Sequence, residues 1–263
     1  MASELPKVKL YWLEKSRSQR IVWLLEELGY PYEIEVFHRN KQTSLAPPEL
    51  QAIHPLGKSP VISVTPPGGG DAVVVAESGF ITEYLCAHAP ADKQHIIPAK
   101  WKEGQEGKVG GETEAWMRYQ YFMHYAEGSL MPHLVMGLVI GRLKSTDIPF
   151  FIRPITSSVA GRIFNMFLLP NVKRHLQFLD QQLETSGGRY LCGDQLTAAD
   201  ILMSFPLIAS KTRLDSFGEW EGGSWEKKHP RVVEYIKLLE ENPGYKKSIE
   251  EIEKVDGKFV STL

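Results

Sequence analysis

The stretch from His54 to Ile62 combines two prolines, a glycine and an apolar pair, and this pattern is suited to holding a ligand. Pro60 stands directly before Val61 and Ile62, which read as the start of a strand, and a proline there donates no ladder hydrogen bond. The Ser59–Pro60 bond is also of the type in which a cis peptide is ordinary. A cis bond would turn the N–H and C=O of Ser59 away from the sheet. The stretch therefore predicts an edge that binds an extended peptide, with a plain loop-to-strand turn as the simpler alternative.

Two further groups of side chains are of types that bind charged groups. Ser16 and Ser18 lie in a polar turn between a predicted strand and a predicted helix, where a hydroxyl and a helix N-terminus can both stabilise an anion. Glu77 and Ser78 stand at the start of another predicted helix. A carboxylate beside a hydroxyl and free backbone N–H groups can bind the ammonium and carboxylate of an amino acid. For both groups, the alternative is simple capping of the helix.

The elements that must position these side chains form a strand–helix–strand unit, then a hairpin and a helix. Alternating and β-branched residues predict the strands, and apolar residues at helical spacing predict the helices. In chain order these are the strand Val8–Trp12, the helix Ile21–Leu28, the strands Tyr32–Phe37, Pro60–Val64 and Ala72–Val75, and the helix Phe80–His88. Strand–helix–strand implies a right-handed parallel crossover. The whole order predicts a thioredoxin-like α/β domain over residues 1–90.

The second half of the chain predicts only helices. Apolar residues recur at helical spacing in the stretches 112–131, 171–183, 198–208 and 230–239. Residues 89–99 read as a linker, so we expect an all-α domain over 100–263. Within it, residues 131–171 are apolar but contain four prolines. We expect this segment to be irregular and to form a lid, a dimer surface, a membrane-facing patch or an internal packing insert.

Thr197 and Asp200 have the spacing of a helix cap. A threonine followed three residues later by an acidic residue is close to a capping box, in which side chain and backbone satisfy each other at a helix start. We therefore expect both residues to stabilise the fold and to have no part in catalysis.

The composition argues against several classes of protein. The chain has 263 residues, 43% of them hydrophobic and 24% charged, with a formal net charge of −2. This balance, with no basic run carrying aromatic residues, argues against a nucleic-acid-binding surface. The N-terminus lacks an apolar signal core, and the longest apolar run is far short of the roughly 20 residues of a membrane span. Cys86 and Cys192 form no metal-ligand or redox motif, so we expect buried thiols and a cytoplasmic protein.

Four separated motifs, in order along the chain, make it similar to the cytosolic-type glutathione S-transferases. They are Ser16–Leu28, Ala46–Val61, Ala76–Ser78 and Tyr190–Ile201. The resemblance covers nearly the whole chain and is to the fungal and bacterial subgroup that includes a membrane-associated transferase of yeast. It implies a thioredoxin-like domain followed by an all-α domain, glutathione as co-substrate with no metal, and a homodimer.

The resemblance also implies a hydroxyl, in the turn after the first strand, that stabilises the glutathione thiolate. A free thiol has a pKa of about 8.5, and lowering it by about 2 units requires roughly 2.7 kcal/mol of selective stabilisation. Ser16 is the first candidate, with Ser18 and Tyr11 as alternatives. In several classes of the family the serine stands one residue earlier, where this chain has Lys15.

Glutathione contacts are implied for two segments of the first domain. Glu77 would bind the γ-glutamyl ammonium, while Ser78 and the helix N-terminus would bind the adjacent carboxylate. Ser59, next to Pro60, would pair with the cysteinyl backbone.

Basic and aromatic side chains complete the expected site. Lys58 could bind the glycyl carboxylate of glutathione, and Lys41 and Arg39 are looser candidates for the same group. We expect the electrophile pocket to lie between the two domains. Its candidate lining residues are Trp12, Met117, Tyr121 and Tyr125, although an aromatic stripe at helical spacing can equally be packed core.

The expected function is enzymatic. The glutathione thiolate would be conjugated to a small apolar electrophile, or would reduce a hydroperoxide, by positioning and thiolate activation. The alternative is a binding or regulatory protein with this fold and little turnover. A third interpretation, a membrane-associated carrier of apolar ligands, depends on residues 134–169 alone. We expect a cytoplasmic homodimer, with a membrane-peripheral location as the alternative.

Overall fold

Strand β1 (Lys7–Leu13) begins a four-stranded sheet. The computed structural model describes residues 5–262, so residues 1–4 and 263, the outermost ends of the two expected domains, lie outside the described residues. After β1 come α1 (Gln19–Leu28), β2 (Tyr32–Phe37), α2 (Glu49–Ile53), β3 (Val61–Thr65), β4 (Val73–Ala76) and α3 (Ser78–Ala87). This order confirms the predicted thioredoxin-like arrangement of strands and helices.

The register of the sheet brings three separate segments to one end of the strands. The strand order is β2–β1–β3–β4, with β1 and β2 parallel and the other pairs antiparallel. Tyr11 lies opposite Val61, and Val61 lies opposite Ala76. The end of β1, Pro60 before β3 and Glu77 after β4 are therefore neighbours, although more than sixty residues separate the first from the last.

Helix α1 covers the sheet with an apolar face. Ile21, Leu24, Leu25 and Leu28 are buried, as their helical spacing predicts. Gly29 ends the helix with φ = 71°, a left-handed conformation that glycine adopts without steric penalty.

The rest of the chain is helical. Its helices are α4 (Glu114–Tyr125), α5 (Met131–Gly141), α6 (Arg153–Ile163), α7 (Leu169–Thr185), α8 (Ala198–Ser210), α9 (Trp225–Lys228), α10 (Pro230–Glu241) and α11 (Pro243–Asp256), with 3₁₀ turns at Ala91–Ile96, Arg142–Lys144 and Leu214–Phe217. Between β4 and residue 262, β pairing is limited to two isolated bridges, Trp101–Glu112 and Tyr190–Gly193. The all-α prediction for this part is confirmed.

Helix α8 is the core of the helical part, and every one of its residues is buried. The predicted capping box is present at its start: the Thr197 amide and hydroxyl both donate to Asp200 Oδ2, at 2.9 and 2.6 Å. Asp200 Oδ1 accepts from the Leu191 amide at 3.0 Å and from the Tyr235 hydroxyl at 2.7 Å. One buried carboxylate therefore joins the α8 start to a preceding loop and to α10.

Helix α11 has no counterpart among the predicted helices. It packs along α1, where Tyr245 meets Trp23 edge-on with 5.3 Å between ring centroids. Asn242 caps it by accepting from the amides of Gly244 and Tyr245, and Pro243 occupies its first turn. An asparagine followed by proline is a helix-start signal, so the sequence did contain a clue.

The segment 131–171 differs from the expected irregular structure, because most of it is helix. Only residues 142–152, between α5 and α6, form turns. Pro132, Pro154 and Pro170 lie in the first turns of α5, α6 and α7, where the missing N–H breaks few helical hydrogen bonds. The π-helical turns Ala126–Leu130 and Phe164–Leu168 directly precede α5 and α7. Prolines that would break a single long helix are therefore compatible with three shorter consecutive helices, each of which has a proline in its first turn.

Both cysteines are buried, as predicted. Burial raises the pKa of the Cys86 thiol to about 12 and also raises that of Cys192, so both thiols are neutral at physiological pH. Within residues 5–262, no helix is both long and apolar enough to cross a membrane.

Candidate active site

Three serine hydroxyls meet where β1, α1 and β3 come together. Ser16 donates to Ser18 Oγ at 2.9 Å, and the hydroxyls of Ser18 and Ser59 lie 2.5 Å apart. Ser59 donates to the Tyr11 carbonyl at 2.9 Å, and the Ser59–Pro60 bond is cis. The structure therefore brings together hydroxyls that the sequence places 41 residues apart.

The hydrogen bonds of these serines run in one direction. A hydroxyl carries one proton. The Ser59 proton points to Tyr11, so Ser18 donates to Ser59, and Ser16 donates to Ser18. Ser16 heads the chain: its hydroxyl can turn to another acceptor while the other two bonds remain.

Exposure separates the two serines of this turn, although Ser59 is more exposed than either. Ser16 is 7% exposed, whereas Ser18 is fully buried. Neither hydroxyl caps α1 by bonding to an amide of its first turn, although the Ser18 amide donates to Ser16 Oγ at 3.2 Å. The capping alternative is therefore absent at the described N-terminus of α1, and Ser16 is the hydroxyl best placed to meet a ligand sulfur.

Tyr11 contributes its backbone to this cluster. Its hydroxyl lies 3.3 Å from the Ser63 hydroxyl, and its ring lies against Phe37 with 6.5 Å between centroids. Its side chain alternates with those of its buried neighbours Leu10 and Trp12, as successive residues of a strand do. The side chain is engaged with β3 and β2, and the carbonyl orients Ser59.

Glu77 and Ser78 stand at the N-terminus of α3, beside Pro60. Glu77 has φ = 72° and ψ = 121°, a conformation that non-glycine residues rarely adopt. Its carboxylate is exposed and has no ion-pair partner in the described chain. Ser78 is buried at the first turn of the helix. The strained backbone aims an unpaired carboxylate toward solvent next to free helix amides, an arrangement that can hold an amino-acid head group.

The three basic candidates occupy different settings. Lys58 is exposed beside Ser59. Lys41 and Arg39 line a cavity of about 960 Å³ between the sheet domain and the helices. The Arg39 guanidinium donates to the carbonyls of Glu14, Lys15 and Ser44, so it is committed to holding the loop. Lys41 is exposed and has no partner within residues 5–262.

This interdomain cavity has an apolar wall from the helical part. The wall is formed by side chains of α5, α8 and two turns, namely Leu134, Val135, Leu138, Phe164, Phe205 and Phe217. Gly137 lets Phe217 pack against α5, because a Cβ at this glycine would come within 2.2 Å of the phenylalanine ring. Lys15 and Arg17, the chain neighbours of Ser16, also line the cavity. Ser16, Ser18 and Ser59 are not among the described residues of its lining, so the serine cluster adjoins the cavity through these two neighbours.

The four predicted electrophile-pocket residues are not among the side chains that line this cavity in the described chain. The Trp12 indole N–H donates to Asp256 of α11 at 2.9 Å. Tyr125 is buried and bonded to His175 at 2.6 Å, and Tyr121 stacks on it. Met117 is 54% exposed on α4. The aromatic stripe of α4 thus packs partly inside the helical domain and partly on the surface.

A charge cluster around the buried Arg20, absent from the predictions, fixes the turn that holds Ser16. Arg20 is fully buried and donates to Glu127 and, at 2.7 Å, to the Leu202 carbonyl. Arg17 donates to both carboxylate oxygens of Glu127, at 3.1 and 2.9 Å. Burial raises the pKa of Glu127, but the two guanidinium groups outweigh it and hold the pKa below the usual value. Arg20, inside the apolar pattern of α1, was a usable signal, whereas Glu127 is identified by tertiary structure alone.

A smaller cavity of about 520 Å³ lies elsewhere, between α7 and the α9–α10 corner, with Trp220 and His229 in its wall. No predicted site residue lines it in the described chain. Among residues 5–262 there is no group of three or more His, Cys, Asp or Glu side chains placed to hold a metal ion.

Comparison with known proteins places this site in context. Residues 16–88 match the family model for the glutathione S-transferase N-terminal domain, and residues 159–238 match the one for the C-terminal domain. Glutathione S-transferase 1 of Saccharomyces cerevisiae is 31% identical over 97% of this chain and 99% of its own.

Solved structures agree in fold. A glutathione S-transferase from Actinobacillus pleuropneumoniae is 28% identical, with a TM-score of 0.66 over 95% of this chain and 94% of its own. A glutathione transferase from Phanerochaete chrysosporium, solved in complex with oxidised glutathione, is 20% identical, with a TM-score of 0.65 over 95% of this chain and 98% of its own. The matches to both domains, together with a relative of this identity along nearly the full length, show that the chain belongs to the glutathione S-transferase family.

Proposed function

We propose that this protein is a glutathione transferase in which Ser16 stabilises the thiolate of bound glutathione. The observation that carries the proposal is the directed chain of serine hydroxyls beside Pro60, whose first member, Ser16, lies in sequence between two residues of the cavity lining, Lys15 and Arg17. Membership of the family and the name of the yeast relative support glutathione as the co-substrate. Glutathione lies along the end of β3, with its γ-glutamyl group at Glu77 and Ser78 and its sulfur at Ser16.

Catalysis in this proposal is positioning plus activation of the sulfur. Turning the Ser16 hydroxyl from Ser18 to the sulfur supplies a hydrogen bond to the charged form, and such bonds favour ionisation. The positive end of α1 and the unpaired ammonium of Lys15 add favourable potential. The thiolate then attacks an electrophilic carbon held in the cavity, and the leaving group departs with the bonding electron pair. With a hydroperoxide, it attacks the terminal oxygen, the O–O bond breaks, the alkoxide takes a proton from solvent and leaves as the alcohol, and glutathione is oxidised to its sulfenic acid.

Steady-state kinetics with glutathione and 1-chloro-2,4-dinitrobenzene test this assignment. Ser16→Ala is expected to lower kcat/KM by at least about tenfold at pH 6.5 and to move the rising limb of the pH profile to higher pH. Ser18→Ala, which removes an inner member of the same chain, is the matched variant, and its loss is expected to be smaller. Equal activity of the wild type and Ser16→Ala across the pH range would contradict the role of Ser16.

The rival function is a binding protein of the same fold with little turnover. The Ser16 hydroxyl, which can turn from Ser18 to the sulfur, favours the enzyme. A site that only binds glutathione does not need a hydrogen-bond donor for the sulfur. Tight glutathione binding by calorimetry, with turnover no faster than the uncatalysed reaction, would support the rival.

We also propose that the protein is a homodimer. Neighbouring elements β4, α3 and α4 expose large apolar side chains, each about half accessible: Val73, Val74, Phe80, Met117 and Tyr121. Burial of such a patch against a second copy is favourable. Sedimentation measures whether the protein is a monomer or a dimer.

For localisation, we propose a cytoplasmic protein that can associate peripherally with membranes. Phe150 and Phe151, in the turn between α5 and α6, are 80% and 69% exposed, and Arg142, Lys144 and Arg153 lie nearby in sequence. Exposed aromatic residues flanked by basic ones suit an anionic bilayer surface. Phe150→Asp is expected to reduce co-sedimentation with phosphatidylserine vesicles. Absence of wild-type binding to those vesicles would remove the membrane part of this proposal.

A further inference from the structure

We propose that the second substrate bound in the interdomain cavity is an amphipathic anion, an electrophile with an apolar body and a carboxylate or similar acidic group. This inference rests on the proposed transferase function and specifies the substrate class of that same site. It departs from the expectation of a purely apolar electrophile.

The charge of the cavity lining carries the inference. Among residues 5–262, the lining includes seven basic side chains and a single acidic one, Glu14, although the whole chain has a net charge of −2. The basic members are Lys15, Arg17, Arg39, Lys41, Arg142, Lys144 and Arg213. Basic groups are therefore concentrated at this cleft, where walls of low dielectric focus their potential on an incoming anion.

Several of these charges have no partner of their own. Arg17 is neutralised by Glu127, Arg39 is bonded to carbonyls, and the Lys144 ammonium lies 4.5 Å from the Phe164 ring centroid. The other four have neither an ion pair nor a side-chain hydrogen bond within residues 5–262, and they are Lys15, Lys41, Arg142 and Arg213. All four are exposed and can be solvated by water, so they are available to bind a substrate anion without breaking an existing ion pair.

The positions of the four unpaired basic side chains indicate which of them would bind glutathione and which would bind the second substrate. Lys15 and Lys41 belong to the sheet domain, where glutathione is held, and one of them can serve its glycyl carboxylate. Arg142 and Arg213 come from the helical domain, together with the apolar wall formed by α5, Phe164 and Phe217. An apolar body on that wall would place an acidic group within the reach of Arg142 and Arg213. A guanidinium binds a carboxylate with two parallel hydrogen bonds.

The dimensions of the cavity suit such a pair of ligands. Its volume of about 960 Å³ lies near the upper end of the roughly 300–1,000 Å³ of small-molecule sites. The reaction that we propose as a probe is a substitution. The glutathione sulfur forms a bond to the ring carbon that carries chlorine, chloride leaves with the bonding electron pair, and the thiol proton passes to solvent.

The test compares 4-chloro-3-nitrobenzoate with its methyl ester at saturating glutathione. Each kcat/KM is divided by the uncatalysed rate constant for the same compound, because the ester is intrinsically more reactive. We expect the acid to have the higher normalised value, with a KM that rises with ionic strength. Arg142→Gln/Arg213→Gln should raise the KM for the acid about tenfold and leave that for the ester unchanged. Lys246→Gln, an exposed change on α11 outside the cavity lining, is the matched control.

The outcomes separate the inference from the function beneath it. Equal normalised values for acid and ester, unaffected by the double substitution, would overturn the anionic-substrate inference while leaving the transferase intact. Turnover of neither compound nor of 1-chloro-2,4-dinitrobenzene would overturn the transferase function itself. If the double substitution instead raises the KM for glutathione and not for the acid, the arginines bind the carboxylates of glutathione, and the inference is wrong.

Discussion

At the scale of the residue, each serine hydroxyl has one proton, and this limits which of the three serines can donate a hydrogen bond to the glutathione thiolate. Ser18 and Ser59 each donate within the cluster, to Ser59 and to the Tyr11 carbonyl. If either turned to the sulfur, an inner bond of the chain would be lost. If the Ser16 hydroxyl turns to the sulfur, only its bond to Ser18 is lost. For this reason we assign the catalytic role to Ser16.

Glu77 offers a separate test at the same scale, because its backbone and its side chain have different effects. Glycine accepts φ = 72° without strain, so Glu77→Gly is expected to raise the free energy of unfolding by about 1 kcal/mol relative to Glu77→Ala. Both variants lose the carboxylate and should weaken glutathione binding equally. Urea unfolding and calorimetric titration measure the two effects. Unchanged affinity in both variants would refute the assigned contact with the γ-glutamyl ammonium.

The residues of the candidate site were proposed from local residue types together with the family resemblance, and their roles stay predictions. Serine, carboxylate and cis-prone proline types pointed to Ser16, Ser59 and Glu77, which the register of the sheet then brings together. The order of the serine hydrogen bonds depends on contacts up to 48 residues apart. The pairing of Arg20 with Glu127 spans 107 residues, and no local pattern encodes either feature.

At the scale of the element, the π-helical turn Ala126–Leu130 links the two parts of the molecule. It presents Glu127 to Arg17 and Arg20 at the start of α1. The turn that carries Ser16 is therefore held by a charge cluster that crosses from the helical part to the sheet part.

Removal of the Glu127 charge should destabilise the fold. Glu127→Gln leaves Arg20, which is fully buried, without a counter-charge, and breaking a buried pair costs roughly 3–5 kcal/mol. We expect about 3 kcal/mol, the low end, because Glu127 is 32% exposed. Urea unfolding checks this value. Glu114→Gln, which removes the exposed partner of Arg118, is the control, and its loss should stay below about 1 kcal/mol.

The same cluster predicts a pH dependence. The folded-state pKa of Glu127 lies below its usual value of 4.5, so its stabilisation is present above that pH. It is lost as the pH falls through the lower folded-state pKa. The difference in unfolding free energy between wild type and Glu127→Gln should therefore be constant above about pH 5 and shrink in more acidic solution. A difference that is independent of pH down to 3 would contradict this ionic account.

The hydrogen bonds at the start of α8 predict that two alanine substitutions there, at Thr197 and Asp200, destabilise the fold by different amounts. Thr197→Ala removes a capping hydroxyl and is expected to cost about 1 kcal/mol. Asp200→Ala also leaves the Leu191 amide and the Tyr235 hydroxyl without their acceptor, so its cost should be at least about 2 kcal/mol greater. Thermal or urea unfolding measures both. Equal losses would mean that these two groups find other partners.

For the secondary-structure elements, strong hydrophobic periodicity predicted the helices and strands correctly, whereas the prolines wrongly suggested irregular structure. Helix α8 and the sheet strands follow their sequence patterns closely. The prolines of residues 131–171 suggested irregular chain, but first-turn positions and the preceding π turns accommodate them. Whether a proline begins a helix or breaks one depends on the hydrogen bonds of the preceding turn, which neighbouring helices help to set.

At the scale of the whole molecule, the apolar surface of β4, α3 and α4 should determine the oligomeric state. We expect a dimer at micromolar concentration, and Phe80→Asp, which places a charge in the middle of that patch, should shift it toward monomer. Val159→Asp, an equally exposed position on α6, is the control and should leave the dimer intact. Analytical ultracentrifugation distinguishes these cases. A monomeric wild type would exclude the proposed homodimer.

The proposed mechanism requires a glutathione thiolate at Ser16, and the ultraviolet absorbance of bound glutathione tests this most directly. The absorbance is titrated against pH for the wild type, Ser16→Ala and Ser18→Ala. We predict that glutathione bound to the wild type ionises well below its free pKa of about 8.5 and that Ser16→Ala reverses most of this shift. Ionisation that is unchanged in Ser16→Ala would move the role to another group, and glutathione that binds without ionising would contradict the proposed mechanism.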